Sequence, residues 1–110
     1  MRIAFKMKLH KGNLEEYKKR HNPIWPELEE VLKNHGVITY SIYLDKDTND
    51  LFGYAEIEDL KKWGEVANTD ICRKWWDYMA PLMEVNPDKS PVSKDLIEVF
   101  HIEKNNAQAG

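Results

Sequence analysis

A single cysteine, Cys72, leaves the chain without an internal disulfide and without a cysteine-rich metal site. Long apolar runs are missing too. Nowhere do about 18 apolar residues follow one another, so no hydrophobic helix is expected to span a bilayer. The five glycines are scattered and form no phosphate cradle, which leaves a nucleotide cofactor without a visible seat. An excess of positive charge is also absent: 16 lysines and arginines face 19 aspartates and glutamates, interspersed, for a net charge of −3. That surface lacks the basic patch which a nucleic-acid backbone demands. His10, His21, His35 and His101 make no HExxH-type pair, so no metal is expected. The opening "MRIAFKMKLH" interrupts its apolar residues with charges and does not read as a signal peptide. The expectation is a soluble cytoplasmic protein that uses no metal and no cofactor, with neither nucleic acid nor membrane as a partner.

What is present argues for one globular domain. In 110 residues, 42% are hydrophobic and 11% aromatic, enough for a real core. Ile3, Phe5, Met7 and Leu9 alternate with polar residues, which predicts a half-buried strand. Asn13 is the expected N-cap of a helix running to about His21, where Pro23 forbids its continuation. A second helix follows to His35, with Leu28, Val31 and Leu32 at helical spacing and Gly36 as its stop. "VITYSIYL" and "LFGYAEI" read as two strands joined by the polar turn "DKDTND". Helical signals return at "DLKKWGEVAN" and, after a break near Thr69, at "TDICRKWWDYMAPLM". "NPDKSPVS" is a loop, and "DLIEVFHI" reads as a last alternating strand. The order β-α-β-β-α-β, with each helical stretch in two pieces, predicts an α+β ferredoxin-like fold. Its uncovered sheet face would expose an apolar patch, and pairing two copies would hide it. A dimeric α+β barrel over residues 1–103 is therefore expected, with a polar flexible tail over 104–110.

Few side chains suggest chemistry. Tyr17 and His21 are four apart, so one helix face carries both, one turn from each other. His21 falls where the helix must end, an imidazole titrates near neutrality, and Pro23 and Pro26 stiffen the turn that follows. In "KWWDYM", adjacent Trp75 and Trp76 point about 100° apart on a helix, so one apolar stripe cannot bury both. A core with a dimer interface accounts for that pair, and so does a platform for the flat C–H face of a sugar. Tyr40 lies mid-strand, on the face expected to carry Ile38, Ile42 and Leu44; a hydroxyl bonded to backbone accounts for it equally well. Cys72 reads as a small inert hydrophobe.

Taken together, "YKKRHNPIWPELEEVLKNHG", "YSIYLD", "CRKWWDYM", "NPDKSPVS" and "LIEVFHI" are in the order of the L-rhamnose mutarotase family, which the chain resembles from about residue 3 to residue 102. The resemblance implies a dimeric α+β barrel that interconverts the α and β anomers of L-rhamnose. It gives His21 the proton-donor role and assigns Tyr17, Tyr40, Trp75 and Trp76 to the sugar. The lysine of "PDKSP" stands where the family pattern suggests a smaller polar residue. Residues 103–110 extend past the family's usual end. The group that takes the C1 hydroxyl proton stays open between water and a tyrosine. Two other readings suit the same residues: a cofactor-free monooxygenase or lactone isomerase on this fold, and a non-catalytic dimeric binding module.

Overall fold

The computed structural model describes residues 1–104, so the predicted tail from residue 104 lies almost wholly outside the described residues. Strand β1 (Arg2–Lys8) leads into helix α1 (Leu14–Arg20), and after a proline-bounded turn helix α2 spans Pro26–Asn34. Strands β2 (Val37–Leu44) and β3 (Asp50–Ile57) form a hairpin. Helix α3 (Leu60–Glu65) and a 3-10 turn precede helix α4 (Asp70–Met79), and strand β4 (Lys94–Leu96) comes last. The four strands are antiparallel in the order β2-β3-β1-β4, the α+β ferredoxin-like arrangement expected from the element order.

Local chemistry explains most boundaries. Thr69 caps α4 by accepting the Cys72 N–H through its hydroxyl, and this cap is the break between the two halves of the second helical stretch. Asp59 caps α3 in the same way, on the Lys62 N–H. Gly36, at φ +88°, follows the last turn of α2 in the left-handed conformation that glycine tolerates. Asn13 does precede α1, but its side chain does not cap it. Its amide donates instead to the Leu82 carbonyl, 3.4 Å away, tying the helix start to the end of the other helical stretch.

Two expectations change. Ile38 does not share a face with Tyr40, because the β2–β3 register slips between Val37 and Thr39; the extra residue leaves Ile38 62% exposed. The last strand is shorter than its alternation suggested. Only Lys94–Leu96 pairs, with Ala4–Lys6 of β1, and Ile97, Val99, Phe100 and Ile102 are 77–91% exposed beyond it. An alternating segment becomes a strand only where a neighbouring backbone completes its ladder, and the β1–β4 ladder stops at the Ala4–Leu96 pair.

The buried face is built in rows. Phe5 of β1 is directly opposite Gly53 of β3, which is opposite Ile42 of β2; on the other side Phe5 is opposite Asp95 of β4. Cross-strand partners share a face, so this row points wholly toward the helices. The adjacent row, Leu44, Leu51 and Met7, joins Leu9, Leu28, Val66, Trp75, Met79, Leu82 and Met83 in the core. Gly53 is required by its neighbour. A Cβ there would run into the Phe5 ring, with Cε1 still only 3.0 Å away after two closer ring carbons. Gly53→Ala is therefore expected to cost about 1–3 kcal/mol, as overpacking does. Urea unfolding checks this, and the cost should shrink when Phe5 is also cut back to alanine.

Candidate functional site

Helix α1 ends by tightening. The His21 N–H bonds to the Lys18 carbonyl, three residues back, at 3.1 Å, and that leaves the Tyr17 carbonyl without its usual backbone partner. The His21 ring takes it, with Nδ1 2.8 Å from that oxygen. Only a protonated nitrogen can bond a carbonyl, so Nδ1 carries the hydrogen and Nε2 is the atom left for chemistry. The same bend stacks the imidazole on the Tyr17 ring, with centroids 4.3 Å apart, while Trp75 stands edge-on to it at 5.0 Å.

The turn after α1 is braced by aromatic rings. Trp25 sits edge-on to Trp75 and stacks on Tyr78, both at 5.1 Å, and the Arg20 guanidinium lies 4.2 Å over Tyr78. Trp75 is held between His21 and Trp25 and is 8% exposed. Its neighbour Trp76 is half-buried beneath Arg73, so the adjacent indoles do take different environments.

Tyr17, His21, Tyr40, Trp75 and Trp76 all line one cavity of about 510 Å³ between the helices and the sheet. Tyr40 belongs to a second aromatic group, edge-on to Trp63 at 5.6 Å and 6.1 Å from Phe5. Several lining residues were not singled out from the sequence: Phe5, Trp63, Asn86, Ser90, Ser93 and Asp95. Phe5 and Trp63 sit at core positions of their elements, and no periodicity separates a core aromatic from a cavity aromatic. Asn86, Ser90 and Ser93 come from "NPDKSPVS", a loop whose polar residues gave no signal of direction.

Burial sets the proton chemistry. Desolvation holds the Tyr17 and Tyr40 phenols well above their ordinary value, so both are neutral hydroxyls, able to donate and accept hydrogen bonds. Burial likewise pushes the Cys72 thiol up to about 11, the behaviour of an inert thiol. Desolvation lowers the His21 value, outweighing the bond to the Tyr17 carbonyl, which favours the charged form. Among the described residues no cluster of histidine, cysteine, aspartate or glutamate could hold a metal ion, and no helix is long and apolar enough to cross a membrane.

The sequence profile described as L-rhamnose mutarotase matches residues 2–102. The chain belongs to that family. An L-rhamnose mutarotase of Clostridium beijerinckii is 57% identical over 99 residues, covering 90% of this chain and 95% of the relative. The crystal structure of L-rhamnose mutarotase FA22100 from Formosa agariphila superposes with a TM-score of 0.87 at 50% identity, covering 94% and 99% of the two chains. A dimeric ferredoxin-like protein from an uncultured marine organism shares the fold at a TM-score of 0.67 and 13% identity, over 94% and 98% of the chains. Mutarotase family membership thus spans the whole cavity, since every lining residue from Phe5 to Asp95 lies within the matched segment.

The lowered His21 value has a signed consequence. Between that value and about 6.5 the unfolded chain binds the proton more readily than the folded one, so stability falls as the pH drops through this window. The His21 Hε1 resonance should titrate below 6.5, and His21→Asn should flatten the loss of Tm between pH 7 and pH 5. A midpoint at or above 6.5 would contradict the desolvation described here.

Proposed function

We propose that the chain is an L-rhamnose mutarotase, interconverting the α and β anomers of the sugar by opening and reclosing its pyranose ring, with His21 as the proton donor. The observation that carries this reading is His21 itself. Its tautomer is set by the Tyr17 carbonyl, and it is pressed between Tyr17 and Trp75 on the wall of an aromatic cavity. Family membership supports the substrate. Ring opening needs a proton at the ring oxygen and the loss of one from the C1 hydroxyl; rotation about C1–C2 and reclosure give the other anomer. Only protons move, and the reaction is an isomerisation.

Protonated His21 delivers its proton from Nε2 to the ring oxygen. The Tyr17 and Tyr40 hydroxyls bind and orient the sugar's hydroxyls, and Trp75 and Trp76 offer flat apolar faces to its C–H surface. Because burial makes the imidazolium a stronger acid, its proton is given up more readily than from a solvated histidine. A cofactor-free monooxygenase would suit the aromatics, but the tyrosine hydroxyls with Asn86, Ser90 and Ser93 give the cavity the polar groups that a polyol requires.

We further propose that the protein works as a cytoplasmic homodimer. The sheet face away from the helices carries Tyr43, 66% exposed, with Phe52, Tyr54 and Leu96, and the unpaired segment 97–102 continues from its edge. A second copy would cover that face and give the segment a backbone partner.

Two measurements test these readings. Saturation-transfer NMR on equilibrated L-rhamnose should detect enhanced exchange between the anomeric protons, and His21→Ala should lower it by about 10²- to 10⁴-fold while the protein stays folded. No enhancement with rhamnose would defeat the substrate assignment. Sedimentation should find a dimer that becomes a monomer when Ile97, Val99, Phe100 and Ile102 are all changed to serine. A monomeric wild type would end the dimer reading.

A further inference from the structure

His21 accounts for one of the two protons that ring opening must move, and the sugar-binding residues account for neither. The second proton leaves the C1 hydroxyl, and its acceptor must reach the same carbon from another direction. Among the described residues the cavity lining contains five side chains able to titrate: Tyr17, His21, Tyr40, Cys72 and Asp95. The phenols are held neutral by desolvation and the thiol is pushed up to about 11, so none of the three is a base near neutrality. His21 is committed to the ring oxygen. Among the described residues Asp95 is the only carboxylate in the lining.

Its placement is set by the sheet. Asp95 is directly opposite Phe5 in the β1–β4 ladder, so both side chains are on the helix-facing side. Phe5 packs 6.1 Å from Tyr40 and 6.0 Å from Trp63, which puts Asp95 beside the aromatic wall of the sheet. His21 belongs to the opposite, helical wall. The neighbours of Asp95 in sequence, Lys94 and Leu96, face the other side, where Lys94 is opposite Lys6. Among the described residues the Asp95 carboxylate takes part in no ion pair, whereas seven other carboxylates do.

We infer that Asp95 is the general base of the reaction, accepting the C1 hydroxyl proton while His21 protonates the ring oxygen. This assignment rests on the mutarotase reading. In the opening step the C1 hydroxyl O–H bond breaks and its proton moves to an Asp95 oxygen. The electron pair left on that oxygen forms the C1=O bond. The bond from C1 to the ring oxygen breaks, and its electron pair stays on the ring oxygen, which takes the proton from His21 Nε2. Reclosure on the other face of C1 reverses each transfer, so imidazolium and carboxylate are both restored, with no other reactant consumed. A base and an acid on opposite walls suit a reaction in which both oxygens hang from one carbon.

The test uses the full-length protein with α- and β-L-rhamnose in the exchange experiment, at several sugar concentrations and from pH 5 to pH 8. Asp95→Asn should lower kcat about 10²-fold or more and move KM by only a few-fold. Asp95→Ser should be equally slow and should regain activity when acetate is added, which a merely structural aspartate would not allow. An active wild type with Asp95→Asn within about threefold of it overturns this assignment and leaves the mutarotase reading standing. A slow Asp95→Ser that acetate does not rescue also overturns it, and assigns Asp95 a structural part instead. A wild type that exchanges no rhamnose overturns both.

Discussion

The arrangement depends on one hydrogen bond, from the His21 ring to the Tyr17 carbonyl. It exists because α1 tightens at its last turn, turning the His21 N–H to Lys18 and freeing the carbonyl one residue earlier. Pro23 enforces this ending, since a proline cannot continue the helix and restricts the residue before it. From that single bond follow the tautomer of His21, the stack on Tyr17 and the choice of Nε2 as the nitrogen left for chemistry. His35 gives an instructive contrast. Its ring bonds the Val31 carbonyl in the same way, also at 2.8 Å, but its backbone N–H still bonds Val31, and it does not line the cavity. The local motif is therefore not enough; the chain must also deliver it opposite the sheet.

The sheet meets it with a row chosen for size. Phe5 can lie across β3 because Gly53 has no side chain, and the ring then supports Tyr40 and Trp63 without filling the space in front of them. Larger residues at the same level would close the cavity, while the flanking row of Leu44, Leu51 and Met7 packs into the core, with Met7 also reaching the cavity wall. One row carries the site and its neighbour carries the core. The polar loop 86–93 then supplies the hydroxyls and amide that an aromatic box alone lacks.

Much of this was legible in the residues, and the exceptions share a cause. Alternation and caps located β1, the hairpin and the four helices, because those signals are local. The spacing of Tyr17 and His21 and the adjacency of Trp75 and Trp76 made these residues candidates, and the family resemblance rather than the spacing assigned them to one site. The sheet wall was harder. Phe5, Trp63 and Asp95 come together only through strand register and chain topology, which no short window contains. Ile38 was misplaced because a bulge inserts one residue and flips the alternation that a reader extrapolates. Segment 97–102 alternates like a strand yet has no ladder within one chain, so its pattern describes a pairing that the chain does not complete alone.

The electrostatics of the cavity suit the proton-donor role proposed for His21. Burial penalises the imidazolium, so fewer molecules hold the proton at neutral pH, while each one that does gives it up more easily. These effects oppose each other, and the balance is best when the acid's value lies near the working pH. A lysine buried among the same rings would start too basic, and a protonated carboxyl would need a far larger shift to keep its proton near neutrality. Histidine begins close to the optimum and tolerates the desolvation that the surrounding aromatic rings impose. The hydrogen bond to the Tyr17 carbonyl opposes that desolvation by favouring the charged form, so the contact that orients the ring also limits how far its proton affinity falls.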